Sequence, residues 1–244
     1  MVFLSKEQVL KLFEDSFEII KFKEIEKDGK TGLGKVKHWH IYEIIAKKGK
    51  WQMKKIVVAT NNQGKLKEIQ QILDEYELLT LKDVNCDIEV DEDQDTFEGN
   101  SLKKAKKISE TTKMPCIADD SGLCIEIFEG WPGVYTARFL GADSTPEQRN
   151  NAILEKMKSL DGDDRKARVE CVITYYENGK IVVGKGEIKG RIAKESKGEN
   201  GFGFDPIFEL ENGKTYAELT CEEKNAISHR RMALENLKKQ LTNM

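Results

Sequence analysis

The sequence predicts an α/β protein in which helices flank a mixed central sheet, with a small helix-plus-hairpin extension in front of it. Three observations predict this fold. From Met53 onward, short apolar runs alternate with segments whose apolar residues recur at helical spacing. Within that region, two long strand-like runs flank a four-residue turn. The first 52 residues carry eleven Lys or Arg against eight Asp or Glu, whereas the remaining 192 carry 29 against 35.

The N-terminal extension, residues 1–52, begins with a helix signal. Ser5 and Gln8 have the spacing of a capping box, and apolar residues follow at i, i+4 spacing, namely Val9, Phe13 and Phe17. A strand at residues 18–25, a turn at 27–30 and a second strand at 38–46 complete the extension. Because the composition changes near Met53, we place a domain boundary there and assign residues 53–244 to one α/β domain.

The order of elements in residues 53–244 follows from the period of the apolar residues. Short apolar runs predict strands at residues 55–60, 77–81, 116–118 and 123–128. Helical spacing predicts helices at residues 65–74, 96–113, 145–160 and 230–241. A long hairpin is predicted at residues 167–176 and 181–192, with its turn at 177–180. A purely parallel, doubly wound sheet has no need of such a hairpin, so we expect a mixed sheet.

Composition excludes several classes of protein. The formal net charge of −3 argues against binding nucleic acid through a basic surface. Apolar runs such as residues 56–59 fall far short of the roughly 18 residues of a membrane span. Charged residues also come too early for a signal peptide. We therefore expect a cytoplasmic protein with neither a nucleic-acid nor a membrane partner. Five cysteines without a CxxC pair predict buried, reduced thiols.

The turn between the first predicted strand and helix of this domain is a candidate phosphate site. Backbone amides at a helix N-terminus, a Lys ammonium and small polar side chains suit phosphate oxygens. The residues are Thr60, Asn61, Asn62, Gln63, Gly64 and Lys65. The Walker pattern GxxxxGK[ST] is missing, and an ordinary polar turn is an equal alternative from these residues alone.

Acidic residues form a second candidate site. Asp119 and Asp120 follow the predicted strand at residues 116–118, and two adjacent carboxylates there are costly unless paired or bound to metal. Mg²⁺ keeps several waters, so one or two carboxylates together with substrate phosphates suffice to hold it. We therefore predict a function for this pair. For the acidic run at residues 91–95, a solvated loop is the alternative for most members.

Two further motifs break local rules. Gly201 and Gly203 flank Phe202, so its ring can present a face to a flat ligand such as a base, although core packing of Phe202 and Phe204 is an equal alternative. Near the C-terminus, Ser228 is placed to cap the last helix. His229 and Arg230 then fall in the first turn, where positive charge opposes the helix dipole. Such breaks are typical of functional sites.

In this order and spacing, the motifs of residues 53–244 closely resemble the Ham1 or inosine triphosphatase family of non-canonical purine nucleoside triphosphate pyrophosphatases. Six motifs carry the resemblance: Thr60-x-Asn62-x-x-Lys65, Thr96-Phe97 leading to Asn100 and Lys104-Ala105, residues 118–123, Pro132-Gly133 leading to Ala137-Arg138, residues 201–206, and Lys224 with Ser228-His229-Arg230. The fold implied is an elongated mixed sheet flanked by helices.

The resemblance implies an Mg²⁺-dependent hydrolase that cleaves inosine, deoxyinosine and xanthosine triphosphates to the monophosphate and pyrophosphate, cleansing the nucleotide pool. It also implies a homodimer. Asp120 would be the proton acceptor and a metal ligand, and Glu92 the other metal ligand, with Asp91 as a competing assignment. The implied substrate-binding residues are Thr60, Asn61, Asn62, Gln63, Gly64, Lys65, Lys104, Ser121, Phe202, Gly203, Phe204, Asp205, Lys224, His229 and Arg230.

The implied base contacts explain only part of the specificity. Arg230 would donate a hydrogen bond to the 6-oxo group of hypoxanthine or xanthine. Adenine has an amino group at that position and would leave the charge of Arg230 unpaired. Guanine also carries a 6-oxo group, and its rejection has no explanation in the sequence. Gly99 stands where the family usually has Glu, which we expect to cost the helix start roughly 0.5–1 kcal/mol.

Two alternatives to this function remain. A Maf-like pyrophosphatase for modified pyrimidine nucleotides is the alternative enzyme, and a nucleotide-binding scaffold is the alternative outside catalysis. In the scaffold, residues 1–52 would mediate association.

This extension weakly resembles the C-terminal end of class I S-adenosylmethionine methyltransferases, at residues 17–20 and 40–48. The glycine-rich cofactor loop is absent upstream, so we predict no methyl transfer. His38 and His40 share a strand face without an evident third metal ligand, so a packed or solvated pair is expected.

Overall fold

The computed structural model describes residues 5–12, 17–30, 35–48, 53–141 and 143–242. The chain divides into two compact units, Met1–Met53 and Lys54–Met244. No helix within the described ranges is long and apolar enough to cross a membrane.

The first unit contains helix α1 (Lys6–Lys11) and a hairpin of strands β1 (Phe17–Lys30) and β2 (Val36–Lys48). The predicted capping box is confirmed, since the Ser5 hydroxyl accepts from the Gln8 amide at 3.3 Å. Phe13 lies outside the described residues, and Phe17 starts β1 rather than continuing the helix. The turn predicted at residues 27–30 is wrong, because these residues pair with β2, with Lys30 opposite Val36. Their Asp and Gly resemble a turn, but the cross-strand pairing overrides that local preference.

The predicted histidine pair falls on β2. The ring nitrogen Nδ1 of His38 lies 2.6 Å from the carboxylate of Asp28 on β1, and this hydrogen bond raises the pKa of His38. The prediction for the side chain of His40 lies outside what the structure describes.

The second unit is built on a seven-stranded mixed sheet. Its strands are β3 (Lys55–Val58), β4 (Glu77–Thr80), β5 (Cys116–Ile125), β6 (Trp131–Pro132), β7 (Lys166–Glu177), β8 (Lys180–Ile192) and β9 (Phe208–Glu209). The order is β4-β3-β5-β7-β8-β9, with β6 paired to β5. Strand β3 pairs in parallel with β4 and β5, and the other pairings are antiparallel. The predicted mixed α/β fold is confirmed.

Helices flank this sheet as predicted. They are α2 (Gln63–Ile72), α3 (Phe97–Thr112), α4 (Pro146–Lys156), α5 (Cys221–Ile227) and α6 (His229–Thr242). The predicted helices agree with α2, α3, α4 and α6 to within a few residues, whereas the seven-residue α5 was not predicted. The β7–β8 hairpin is confirmed, and its turn residues Asn178 and Gly179 both have positive φ. That conformation is the one a two-residue hairpin turn requires.

Strand β5 corrects the sequence prediction of two short strands at residues 116–118 and 123–128. It is one ten-residue strand because β7 pairs along its whole length, from Cys116 opposite Tyr176 to Ile125 opposite Ala167. Asp119 and Asp120 therefore lie in the middle of a strand rather than after its end. Parallel pairing with β3 reaches only Ile117, so both acids lie just beyond the carboxyl end of β3.

The two faces of the sheet have different covers. Helices α2 and α6 pack on one face in a core that includes Ile56, Ile117, Ile173, Leu234 and Leu237. Helix α3 covers the other through Ala105 and Ile108. Four of the five cysteines are buried as predicted, whereas the prediction is wrong for Cys221, which is exposed at the start of α5.

Helix α6 lies very close to β8, and two glycines make this possible. A Cβ atom on Gly184 or Gly186 would come within 2.1 Å of a backbone carbonyl of α6. At Gly186 that carbonyl belongs to His229. These glycines therefore fix the start of α6, with His229 and Arg230, against the sheet.

Candidate active site

A cavity of about 540 Å³ opens beside the carboxyl end of β3. Most of the predicted site residues line it: Thr60, Asn61, Asn62, Lys65, Glu92, Lys104, Asp120, Ser121, Phe202, Gly203 and Phe204. Asp91 lines it as well. Four further predicted residues, Asp205, Lys224, His229 and Arg230, are buried.

The turn before α2 is closed by its own side chains. The Thr60 hydroxyl accepts from the Asn62 amide at 3.2 Å. Asn62 is the N-cap of α2, and its side-chain oxygen accepts from the amides of Gly64 at 2.9 Å and Lys65 at 3.2 Å. Gln63 is exposed at the first position of the helix. The turn directs the Lys65 ammonium inward, to 3.0 Å from Oδ2 of Asp119.

Asp119 lies on the face of the sheet covered by α2 and α6. Its Oδ2 is 3.0 Å from the Lys65 ammonium and accepts from Nη2 of Arg230 at 3.1 Å. Burial alone would raise the pKa of Asp119, but Lys65 and Arg230 outweigh it and hold that pKa well below its usual range. The two cations therefore favour the ionised form of Asp119, which anchors both of them.

Asp120 faces the opposite side of the sheet, toward α3. Its Oδ2 accepts from Nδ2 of Asn100 at 2.8 Å, and its Oδ1 accepts from the Ser121 amide at 3.0 Å. Burial raises its pKa to about 6, with Lys104 opposing the rise and the Glu92 carboxylate adding to it. A carboxylate with a pKa near neutrality on a cavity wall can accept and release a proton at physiological pH.

Glu92 reaches the same cavity and is held between two cations. The Lys104 ammonium donates to its Oε1 at 2.5 Å and to the carbonyl of Asp119 at 2.6 Å. Nη1 of Arg138 donates to Oε2 at 3.1 Å. Burial works to raise the pKa of Glu92, but Lys104 in particular lowers it below its usual value. Asp91 is exposed, so these contacts favour Glu92 as the acid that the cavity uses.

Glu92 and Asp120 fit a hard divalent cation. The charge of Glu92 raises the pKa of Asp120, so the two carboxylates repel each other across the cavity. A bound divalent cation would relieve this repulsion. Among the described residues there is no cluster of three or more His, Cys, Asp or Glu that could hold a metal. Two carboxylates suffice for Mg²⁺ when waters and substrate phosphates complete its shell.

Behind the cavity wall lies a buried charge network. The Arg230 guanidinium, 1% exposed, pairs with Glu68 and Asp119 and donates to the Ser121 hydroxyl at 3.0 Å. The Lys224 ammonium lies 2.7 Å from Oδ2 of Asp205 and 3.1 Å from Oε1 of Glu68. Sequence reasoning missed Glu68. Its signal was a carboxylate on the inward face of α2, between Leu66 and Ile69.

His229 is buried in the first turn of α6, where burial disfavours its charged form. Burial, together with the charges of Arg230 and Lys224, lowers its pKa well below 6.5. The predicted conflict with the helix dipole is therefore absent at this residue. The Ser228 hydroxyl accepts from the Arg231 amide at 3.1 Å, which confirms the predicted cap.

The loop at residues 201–205 holds the Phe202 ring over the charge network. The Lys224 ammonium lies 4.4 Å from the ring centroid. Oδ2 of Asp205 accepts from the Phe202 amide at 2.7 Å, and Nδ2 of Asn150 donates to the Gly203 carbonyl at 2.9 Å. The ring also lies against Gly64, where a Cβ atom would come within 2.5 Å of it. The loop at residues 201–205 and the turn before α2 are thus in direct contact.

Sequence reasoning also missed the roles of three residues that orient the site: Asn100, Arg138 and Asn150. Asn100 and Arg138 stood in recognised motifs, but their partners are 20 and 46 residues away. Asn150 gave no signal, because a polar residue on an amphipathic helix is ordinarily read as solvent-exposed.

Comparison with known proteins agrees with this geometry. The sequence model of the Ham1 family matches residues 56–240. The chain belongs to the Ham1 family. The matched region includes the turn before α2, both acidic residues of β5, the loop at residues 201–205 and the start of α6.

Curated relatives of this Ham1 chain are described as dITP/XTP pyrophosphatases. The protein of Clostridium perfringens is 43% identical over 199 residues, which cover 78% of this chain and 98% of the relative. The Geobacter sulfurreducens protein is 44% identical, and the match covers 78% of this chain and 97% of the relative. The Escherichia coli K12 protein is 41% identical and covers 78% and 100%.

Solved structures show the same Ham1 architecture. A Ham1 protein from Coxiella burnetii superposes with a TM-score of 0.72 at 38% identity, over 79% of this chain and all of the other. The Ham1 protein of Staphylococcus aureus superposes with a TM-score of 0.71 at 38% identity, over 78% of this chain and 99% of the other.

Proposed function

We propose that this chain is an Mg²⁺-dependent pyrophosphatase that hydrolyses inosine, deoxyinosine and xanthosine triphosphates to the monophosphate and pyrophosphate. Relatives at about 40% identity that match over nearly their whole length bear the name dITP/XTP pyrophosphatase. The observation that carries the proposal is the contrast between adjacent acids in β5. Asp119 is locked as an anion by cations, whereas Asp120 faces the cavity with a pKa of about 6.

In the proposed mechanism, Asp120 accepts a proton from the attacking water. Asn100 and the Ser121 amide fix the orientation of its two oxygens. Glu92 and Asp120 would hold Mg²⁺, which supplies positive charge to the triphosphate when bound. Lys65 and Lys104 face the same cavity, and their ammonium groups offset the charge that develops on the leaving pyrophosphate.

The burial of Lys104 among acids suits this role. Desolvation works to lower its pKa, but Asp119, Glu92 and Asp120 raise it above its usual value. Lys104 therefore stays protonated and available to phosphate oxygens across the working pH range.

The Phe202 loop and the network behind it form the proposed base site. Phe202 stacks on the base, and Arg230 offers hydrogen-bond donors to its 6-oxo group. In the structure the Phe202 ring lies 5.9 Å from the Arg230 guanidinium, and the guanidinium is buried. The buried guanidinium must therefore become more accessible before it can contact the base.

We further propose that the protein works in the cytoplasm as a homodimer and that the extension at residues 1–52 is not needed for chemistry. The family match begins at residue 56, after the extension.

A substrate panel tests the proposed function. Pyrophosphate release is measured for inosine, deoxyinosine and xanthosine triphosphates, the common purine and pyrimidine triphosphates, and modified pyrimidine triphosphates. We expect turnover of the first three to exceed that of the common nucleotides by at least about tenfold. That ratio corresponds to about 1.4 kcal/mol of transition-state discrimination. Preference for modified pyrimidines would instead support the Maf-like alternative, and no turnover at all would support the scaffold.

A further inference from the structure

The carboxylate of Glu92 is held from two sides, but its two cations hold it in different ways. The Lys104 ammonium is a single point of charge that Glu92 shares with the Asp119 carbonyl. Arg138 forms a fork: Nη1 donates to Oε2 of Glu92 at 3.1 Å, and Nη2 donates to the backbone carbonyl of the same residue at 2.6 Å. One guanidinium thus fixes both the side chain and the main chain of Glu92.

Glu92 needs such support because its own segment supplies little. Residues 86–93 form neither helix nor strand. A long carboxylate side chain on an irregular segment has several rotamers to choose from, and ordering it costs conformational entropy. The two contacts from Arg138 remove much of this freedom before any ligand arrives.

Arg138 is itself anchored. It follows the 3₁₀ turn at Gly133–Tyr135, and its backbone amide donates to the Tyr135 carbonyl at 2.8 Å. Its guanidinium carbon lies 5.1 Å from the centroid of the Tyr135 ring, within the range of a cation–π contact. Arg138 therefore links this hydrogen-bonded turn to the acidic segment.

We propose that Arg138 is a positioning residue for a divalent cation at Glu92, which it keeps oriented toward the cavity through the paired contacts to its carboxylate and carbonyl. The proposal rests on the metal site of the proposed function. Groups that orient a metal ligand typically contribute about 10- to 100-fold to metal affinity. Lys cannot replace Arg here, because one ammonium lacks the planar fork that spans two acceptors on one residue.

The test uses the full-length protein and Mn²⁺ alone, with free Mn²⁺ followed by electron paramagnetic resonance and no nucleotide present. We expect Arg138→Met and Arg138→Lys each to weaken Mn²⁺ binding by about 10-fold or more. Lys103→Gln is the matched control, because Lys103 pairs with Asp93, the residue after Glu92, at 2.8 Å. This control should bind Mn²⁺ like the wild type. Thermal unfolding of each variant shows whether it is folded.

A double variant separates positioning from a general loss of structure. If Arg138 acts through Glu92, then Glu92→Gln/Arg138→Met should bind Mn²⁺ no more weakly than Glu92→Gln alone. Additive losses would overturn the proposal, as would Arg138 variants that keep wild-type Mn²⁺ affinity. A wild-type protein that binds no Mn²⁺ without nucleotide would overturn this proposal, whereas the proposed metal site is tested by Mg²⁺-dependent turnover of inosine triphosphate. If only the Arg138 variants behave contrary to expectation, the proposed function stands.

Discussion

Asp119 and Asp120 are neighbours in β5, yet their carboxylates lie on opposite faces of the sheet and have opposite electrostatic surroundings. Asp119 accepts contacts from Lys65 and Arg230, whereas Asp120 accepts hydrogen bonds from Asn100 and the Ser121 amide. The alternation of a strand alone produces this separation. Asp119 therefore stabilises the fold, whereas Asp120 is the acid that we propose for catalysis.

Removing the charge of Asp119 should destabilise the fold. Asp119→Asn leaves the half-buried Lys65 and the buried Arg230 without their shared carboxylate, and breaking a buried pair typically costs about 3–5 kcal/mol. Urea denaturation at neutral pH measures the loss. Asp93→Asn, which breaks the exposed pair with Lys103, is the control and should leave the free energy of unfolding unchanged. Equal stability of Asp119→Asn and the wild type would contradict the anchoring role.

The pKa of Asp120 predicts the acid limb of the activity profile. Only the ionised carboxylate accepts a proton, so kcat/KM for inosine triphosphate should fall as the pH drops below about 6. Metal binding favours the carboxylate form, and a higher Mg²⁺ concentration should therefore move the limb to lower pH. Initial rates at two Mg²⁺ concentrations test this. Activity that stays constant down to pH values well below 6 would exclude Asp120 as the base.

The Phe202 ring should contribute to binding of the base. Stacking of a base on an aromatic ring is worth about 1–3 kcal/mol, so Phe202→Ala should lower kcat/KM for inosine triphosphate by roughly 5- to 150-fold. Phe202→Tyr keeps the ring and serves as the matched control. Steady-state kinetics with both variants decide the matter: if Phe202→Ala and Phe202→Tyr are equally active, the ring does not stack on the base.

Deleting residues 1–52 should leave catalysis intact. Curated relatives match 78% of this chain but 97–100% of their own length, so a complete family member has no counterpart to the extension. We expect kcat/KM to change by less than about twofold, since no residue of the proposed site is removed. Light scattering on both proteins reports the oligomeric state. Loss of activity or of assembly on deletion would give the extension an essential role.

Much of the architecture follows from local patterns in the sequence. The apolar period places α2, α3 and α6, and the Asn178-Gly179 pair marks the β7–β8 turn. Interruptions in that pattern produced the errors. Asp119 and Asp120 resemble the end of a strand, but β7 continues the pairing past them, and long-range pairing of this kind is invisible to a local window.

The sequence predicts those parts of the candidate site that depend on the type of a residue. It predicts less well the parts that depend on contacts between residues far apart in the sequence. The two adjacent acids and the glycine-flanked Phe can be recognised from the sequence alone. Asn100 supports Asp120, Arg138 supports Glu92, and Asn150 supports the loop at residues 201–205. Each of these contacts depends on segments that are distant in the sequence. The structure also accounts for Gly99, since a Cβ atom there would come within 2.8 Å of Cβ of Gln94. Thr96 still caps α3 by accepting from the Gly99 amide at 3.0 Å.

Asp120→Asn tests whether Asp120 is the general base for release of pyrophosphate. It keeps the shape of the side chain but removes the carboxylate, and general-base groups typically contribute about 10²- to 10⁴-fold. Product release from inosine triphosphate is measured with Mg²⁺, with and without added inorganic pyrophosphatase, and unfolding is followed in parallel. We predict that the wild type releases pyrophosphate and that Asp120→Asn, while folded, is slower by at least about 100-fold. Orthophosphate as the direct product, or full activity of the variant, would contradict the account.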